Sequence, residues 1–339
     1  MGARARTAEQ YMETEMMFNM KSLLWIGTVC VLAGIPALYA FGSFGNGEFF
    51  GMRSFDVRET FEADGLRAIR IDGRGADVEV VRGDSEQIVV SVVGTADADT
   101  SERIDVKASV ADGTLTVEPI VPDKGFFVAV FDVNVLVRLP DRAWESMDVL
   151  TSGGNVDVSS VRSAAVAVET GSGNVALADL TADALDVDAG SGNLRFGELY
   201  ARDATLRIGS GNMTGIGFRA ERLAFDVGSG NVRLEDGRGT LQGESRSGNI
   251  AVRFDAIEAP VVLRAGSGNV TVELAEKPEH LAFDFRTNSG ESSVEWPYEA
   301  AGLVEPGEEN AGAVSGRFGD GGVTLTAETG SGNITLGQR

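Results

Sequence analysis

Residues 171–231 read GSGNVALADLTADALDVDAGSGNLRFGELYARDATLRIGSGNMTGIGFRAERLAFDVGSGN, in which Gly-Ser-Gly-Asn occurs four times, ending at Asn174, Asn193, Asn212 and Asn231. Outward from this stretch, the same corner or a near variant ends at Asn155, Asn249 and Asn269, so the numbering advances by 19, 19, 19, 19, 18 and 20 from corner to corner. A degenerate copy, Asn288-Ser289-Gly290-Glu291, follows at a slightly longer step, and Gly330-Ser331-Gly332-Asn333 closes the chain. A fixed period marks a repeat architecture, and it outranks every other signal in the sequence.

Within the period the apolar residues are phased. The residue after each Asn is Val175, Leu194, Met213, Val232, Ile250 or Val270, and the third is Leu177, Phe196, Leu234, Val252 or Val272, with Gly215 as the exception. Later pairs such as Leu185-x-Val187, Leu206-x-Ile208 and Leu223-x-Phe225 keep a spacing of two. Alternation on either side of a Gly turn predicts short β-strands with one buried face. Two strands and two turns in so short a period cannot bury that face alone, so each coil must stack on the next. The expected fold class is all-β, a parallel β-solenoid (β-helix) of about 19-residue coils with Gly-Ser-Gly-Asn corners. Paired at about 4.8 Å, the seven steps from Asn155 to Glu291 would span roughly 34 Å. A propeller blade needs about 40 residues and a leucine-rich repeat roughly 20–29 in a different frame.

Each part of the corner has a physical reason. Gly permits positive φ where a Cβ would clash, and Asn tolerates left-handed geometry while bonding neighbouring backbone. Stacked amides can also bond one another as a ladder. The expected corner ladder is Asn155, Asn174, Asn193, Asn212, Asn231, Asn249, Asn269 and Asn333. A calcium column would need several carboxylates, and the corner offers an amide and a hydroxyl. No metal site and no cofactor are expected.

Residues 55–150 read as β-rich N-terminal cap coils, with strands at 66–72, 77–81, 88–93, 104–110, 115–118 and 127–139 separated by turns such as Ala111-Asp112-Gly113. Residues 151–291 are the regular repeats. Residues 292–339 read as a loop and closing coil, with final strands at 323–327 and 334–336.

Residues 1–21 read as a cytoplasmic tail or upstream extension, 22–45 as a transmembrane anchor or signal peptide, and 46–54 as a linker. No charged side chain lies between Lys21 and Glu48, and Leu23–Phe44 is long enough to cross a bilayer core. From Met1, Lys21 before the span favours a cytoplasmic N-terminus. From Met20, the chain opens MKSLLWIGTV like a signal peptide, with Ala37-Leu38-Tyr39-Ala40 as a loose cleavage site. Either reading puts residues 46–339 outside the cytoplasm, with 26 basic against 48 acidic side chains. The predicted location is the cell envelope, anchored through residues 22–45 or secreted after cleavage.

Composition removes most catalytic chemistries. The 339 residues hold one histidine (His280), one cysteine (Cys30) and a formal net charge of −22. Two-His metal sites, multi-cysteine zinc sites and disulfide frameworks need more of these residues. Nucleic acid is not an expected partner, because phosphate binding needs clustered positive charge. Carboxylates are the remaining acid–base candidates: Asp179, Asp183, Asp186 and Asp188 in one coil, then Asp226, Glu235 and Asp236. A pair at glycosidase spacing could act on a sugar, but on so acidic a chain such residues read as a solvated, repelling surface. His280 reads as a loop residue. Trp144 and Trp296-Pro297-Tyr298 read as cap residues or as platforms for stacking sugars.

The Leu-Arg-Ala-Ile-Arg-Ile-Asp opening at 66–72, the Val-Leu-Val-Arg-Leu-Pro strand at 135–140 and the iterated Gly-Ser-Gly-Asn-Val corner carry a resemblance. Over residues 55–339 the chain resembles the bacterial "putative adhesin" domain family of unknown function, the β-strand repeat proteins of Lia-type cell-envelope operons. The resemblance implies a repetitive β fold behind a signal or anchor segment, an envelope role, and no catalytic residues. The expected function is a non-enzymatic envelope protein that binds or adheres to an envelope polysaccharide or a protein partner. The alternatives are an accessory of envelope-stress signalling acting through a membrane protein, and a polysaccharide lyase or hydrolase using paired surface carboxylates.

Overall fold

The computed structural model describes residues 52–122, 130–300 and 312–339. Among these the only helix is a single turn, Ala98–Ser101, capped by Asp97, whose Oδ1 accepts from the Thr100 N–H at 3.0 Å. Everything else regular is strand. The expected anchor at 22–45, with Cys30, lies outside the described residues, and no helix among the described residues is long and apolar enough to cross a membrane.

In the middle of the molecule, sequence-adjacent coils pair in parallel. Val175–Ser191 pairs with Leu194–Ser210, and that strand pairs with Met213–Ser229. Pairing along each coil runs through 175–178, 180–182 and 184–189, with breaks at Asp179 and Asp183. Each coil therefore has three paired runs rather than the two strands the apolar alternation suggests. The extra corner falls five positions after each Asn from Asn155 to Asn231, where Ser160, Asp179, Glu198, Gly217 and Asp236 all have φ between 49° and 68°. Only one of the five is glycine, so nothing in composition announces a turn there.

The buried face is the one the phasing predicts: Val175, Leu177, Leu180, Leu185 and Val187 are all buried, as are their counterparts in neighbouring coils. The Gly215 exception has a packing reason. Gly215 stands opposite Phe196 in the adjacent coil, and a Cβ on Gly215 would overlap the Phe196 ring. Phe196, Phe218 and Phe254 then meet edge to face, with centroids 6.1 and 5.9 Å apart, a favoured geometry for aromatic pairs.

The two ends break sequence order. At the first end, Ala68–Arg74 lies between Ala143–Thr151 and Thr114–Ile120, and Asp77–Arg82 lies between Val156–Ser159 and Val130–Leu139. The chain thus lays down the 68–82 coil, makes an outer excursion, and returns on the other side of it. Antiparallel strands finish this end: Met52–Glu62 pairs with Gln87–Asp97, and Asp105–Ala111 forms a hairpin with Thr114–Ile120. The strand at Met52–Glu62 extends sheet into the expected linker.

At the other end, the final strands do not close the stack. Val323–Ser331 sits between Val261–Ser267 and Leu281–Ser289, and Ile334–Gln338 sits between Val270–Leu274 and Ser292–Val294. The outermost coil is therefore 281–294, backed by the antiparallel strand Ala313–Phe318. Much of the region whose sequence reads as loop is strand.

Candidate functional site

The repeated corner forms a continuous polar column. The backbone N–H of Asn174 and its Nδ2 donate to Asn155 Oδ1 at 3.0 and 3.0 Å, and Asn193 repeats both bonds to Asn174 at 2.9 and 3.1 Å. Backbone donation to the preceding Oδ1 continues through Asn212, Asn231, Asn249, Asn269 and Asn333. Two members lie outside the expected set of asparagines. Asp77 precedes Asn155, accepting its N–H at 2.7 Å, and Glu291 follows Asn333, donating its N–H to Asn333 Oδ1 at 3.0 Å. The spatial order is Asp77, Asn155 through Asn269, Asn333, Glu291. The first member only accepts, so a carboxylate serves there. The last accepts nothing in the column, which lets the degenerate copy end in Glu. Before Asn193, Asn212, Asn231, Asn249, Asn269 and Asn333 the glycine turns at positive φ, 142° at Gly211, and a Cβ at Gly211 would overlap the Gly192 carbonyl oxygen. Thr170, Thr329 and Thr287 donate to the facing glycine carbonyls at 3.1, 2.9 and 2.9 Å, satisfying polar groups at the core edge. Each Oδ1 from Asp77 to Asn333 is thus committed to the next coil.

The carboxylates named as acid–base candidates do not converge. Asp179 and Asp183 stand at two different corners, and Asp186 and Asp188 on the third run. Asp186 accepts from Arg207 at 2.7 Å and Asp226 from Arg246 at 3.2 Å. Glu235 holds Arg233 at 2.5 Å with Arg253 behind it, and Asp236 binds Arg339 at 3.1 Å. One pair the sequence reading missed does face itself. Glu79 and Asp157 are direct cross-strand partners on a half-buried face. Burial pushes the Glu79 carboxyl up, reinforced by Asp157 and opposed by Arg138, and burial also pushes Asp157 up. The signal was hidden because the two residues lie far apart in the chain.

A concave site lies at the outermost coil. An open groove of about 610 Å³ is lined by Lys277, Glu279, Tyr298, Glu299, Arg317 and Phe318, within the size range of small-ligand sites. Trp296 and Tyr298 pack edge to face on Phe318, with centroids 6.3 and 6.5 Å away, and Phe283 meets Tyr298 at 5.0 Å. Trp296 is therefore mainly a cap, while Tyr298 stays 39% exposed on the groove wall. Lys277 Nζ lies 5.6 Å from the Phe318 ring centroid, and Arg317 binds Glu299 at 2.9 Å. Beside the groove, His280 Nδ1 meets Asp320 Oδ1 at 2.7 Å, a bond that holds the exposed Asp320 carboxyl below the usual range. Trp144, by contrast, is buried, with Arg142 over its ring at 4.5 Å. No group of three or more potential metal ligands occurs among the described residues.

No curated protein matches the chain. Among solved structures, a "putative adhesin" from Bacteroides fragilis is similar at 12% identity and a TM-score of 0.43, covering 83% of this chain and 96% of that one. A "putative adhesin" from Parabacteroides distasonis is similar at 16% identity and a TM-score of 0.46, covering 86% and 98%. A "putative lipid binding protein" from the same organism is similar at 15% identity and a TM-score of 0.34, covering 86% and 98%. The Toastrack DUF4097 family model matches residues 66–337, from the first inner strand to the last, and the chain belongs to that family.

Proposed function

We propose that this chain is a non-enzymatic binding protein of the cell envelope. In this reading residues 22–45 anchor it, or are cleaved as a signal, and residues 46–339 form an extracytoplasmic β-solenoid that holds an envelope polymer or a protein partner. The observation that carries the binding role is the aromatic groove at the outermost coil, where Tyr298 stays exposed between Lys277 and Arg317. The stack behind it is a rigid support, because the Asn column is consumed by its own hydrogen bonds and is structural rather than a ligand site. The dispersed, Arg-paired carboxylates support a role other than acid–base catalysis.

The test is co-sedimentation of the full-length protein with wall and membrane fractions, separately, at two salt concentrations. Binding to the wall fraction, lost in Tyr298→Ala, is expected. Failure to sediment with either fraction overturns the proposal. Binding to membranes alone, abolished by protease treatment of them, would instead make the protein an accessory to a membrane partner. Release of an unsaturated, ultraviolet-absorbing product from an acidic polysaccharide would overturn the non-enzymatic reading.

A further inference from the structure

The surface columns of the stack differ in how they arrange charge. On the long third run the outward column interleaves arginines with acids: Arg207 stands between Asp188 and Asp226, Arg264 between Glu244 and Glu328, and Arg286 faces Glu328, while Glu169 faces Asp188 and Asp226 faces Glu244. Every arginine of that column thus has a carboxylate beside it, as in the Arg264–Glu328 bond at 3.1 Å. On the short second run the outward column reads Arg162, Thr181, Tyr200, Arg219 and Arg238, with no acid in it. Arg219 and Arg238 are direct partners across adjacent strands, about 4.8 Å apart. Like charges placed directly opposite destabilise a sheet, and here they stand on a protein with 22 excess negative charges.

Neither arginine is well neutralised within the chain. Arg219 makes no ion pair with a described residue, and its guanidinium lies 5.9 Å from the centroid of the Tyr200 ring, which is 37% exposed. Arg238 reaches Glu258 only at 3.9 Å, with both side chains largely in solvent. Arg202 and Arg222 flank the column and share Asp203, at 3.4 Å each. Asp183 and Glu221 stand level with Arg202 in the coils on either side of it, so the carboxylates around the four guanidiniums are Asp183, Asp203, Glu221 and Glu258, and none of them lies in the column itself. The Tyr200 ring restrains Arg219 by a cation–π contact, so less side-chain freedom is lost when an anion binds.

We infer that the Tyr200–Arg219–Arg238 column binds a uronate-bearing polysaccharide, with a sugar carboxylate held between the two guanidiniums and the glycan running along the stack axis. The ligand class rests on the envelope reading above, while the surface is separate from the aromatic groove. Guanidinium forks match planar carboxylates in two-bond geometry. The choice of a glycan over nucleic acid follows from charge density. Duplex DNA carries a charge about every 1.7 Å and would be repelled by the acidic remainder of the chain, whereas a uronate polymer brings one carboxylate per acidic sugar.

The test is binding of the full-length protein to immobilised polygalacturonate, with dextran, polyphosphate and duplex DNA as comparators. Polygalacturonate should be retained and dextran should not. Arg219→Gln with Arg238→Gln should weaken binding about tenfold or more with a Tm no lower than that of the wild type, since each charge-assisted hydrogen bond lost is of that order while the variant relieves a facing pair of like charges. Tyr200→Ala should weaken it less, and Tyr200→Phe should restore it, because the cation–π contact needs only the ring. Arg207→Gln with Arg264→Gln, which removes the same charge from the interleaved column, should leave binding within about twofold. Equal losses in the two double variants would overturn the site as a nonspecific charge effect. Tighter retention of polyphosphate or DNA than of polygalacturonate would overturn the ligand class. Wall sedimentation that persists in the Arg219/Arg238 variant, with no polygalacturonate binding by the wild type, would remove this site and leave the binding role standing.

Discussion

The middle of the stack and its two ends are built from the same coil by different rules. In the middle, successive ladder partners are 18–20 residues apart in the chain. At the first end the partners Asp77 and Asn155 are 78 residues apart, and at the last end the steps are 64 and then 42. Local steps let each coil dock as soon as it forms. Non-local steps require chain to leave, build an outer layer and come back, and such contacts carry a larger loop-closure cost before they contribute. The middle is uniform in its steps and in its hydrogen-bonded ladder. The ends hold the aromatic cluster, the antiparallel edges and the groove.

The largest test of this contrast is truncation after Gly322. If residues 323–339 formed an outer coil, losing them would shorten the stack by one unit. Because Val323–Ser331 and Ile334–Gln338 lie inside it, both neighbouring coils lose their partners. The expected outcome is loss of cooperative unfolding for the whole C-terminal end, read by circular dichroism melts and hydrogen exchange. Retention of slow exchange in 281–289 would refute the inserted order.

Next is the corner glycine. Gly211→Ala combines positive φ with overlap against the Gly192 carbonyl, so a cost above about 4 kcal/mol is expected, the range of severe single substitutions. Gly153→Ala, at the irregular end, meets nothing within 4 Å and should change stability by about 0.5 kcal/mol or less, as surface substitutions do. Urea titration separates the two.

A smaller effect belongs to the ladder. Asn193→Ala with Asn212→Ala removes two interior acceptors and should cost about 2–3 kcal/mol, since each leaves a neighbouring donor unpaired. Glu291→Ala, at the last rung, should leave Tm within error, because its side chain accepts nothing in the column. An equal loss at both positions would show that the column does not act as a ladder.

The smallest concerns Glu79 and Asp157 at the first end. Both carboxyls are raised in the folded chain, so the native state binds more protons than the unfolded one above their ordinary values, 4.5 and 3.8. Their contribution is therefore fully present below those values and is lost as pH rises through the folded ones. Asp157→Asn should raise Tm at neutral pH and flatten its decline as pH rises above those ordinary values. An unchanged pH profile would show that the two carboxyls do not interact.

Much of this molecule is legible in the chain. The repeat period, the buried positions after each Asn and the strands at 77–82, 105–111 and 114–120 follow from alternation and turn residues, because those forces act within one coil and its neighbour. The extra corner was not legible, since Asp179 and Glu198 adopt left-handed φ without a glycine to mark it. Nor was Asp77, which breaks the motif where the column needs only an acceptor; Glu291 was legible as a degenerate corner, but its place beyond Asn333 was not. Of the candidate site, Tyr298 and Trp296 stood out as aromatics in a polar stretch, but Lys277, Arg317 and Phe318 had no shared signal.

The amino-acid sequence by itself determined the coil: its length, its inward face, and the glycine and asparagine that let backbone approach backbone. Tertiary structure alone decided the order in which coils stack at the ends, which charges face one another across strands, and where a groove opens. The period encodes contacts between coils one repeat apart. It carries no information on which free edge a returning strand will find, and that choice is made by the surfaces already folded.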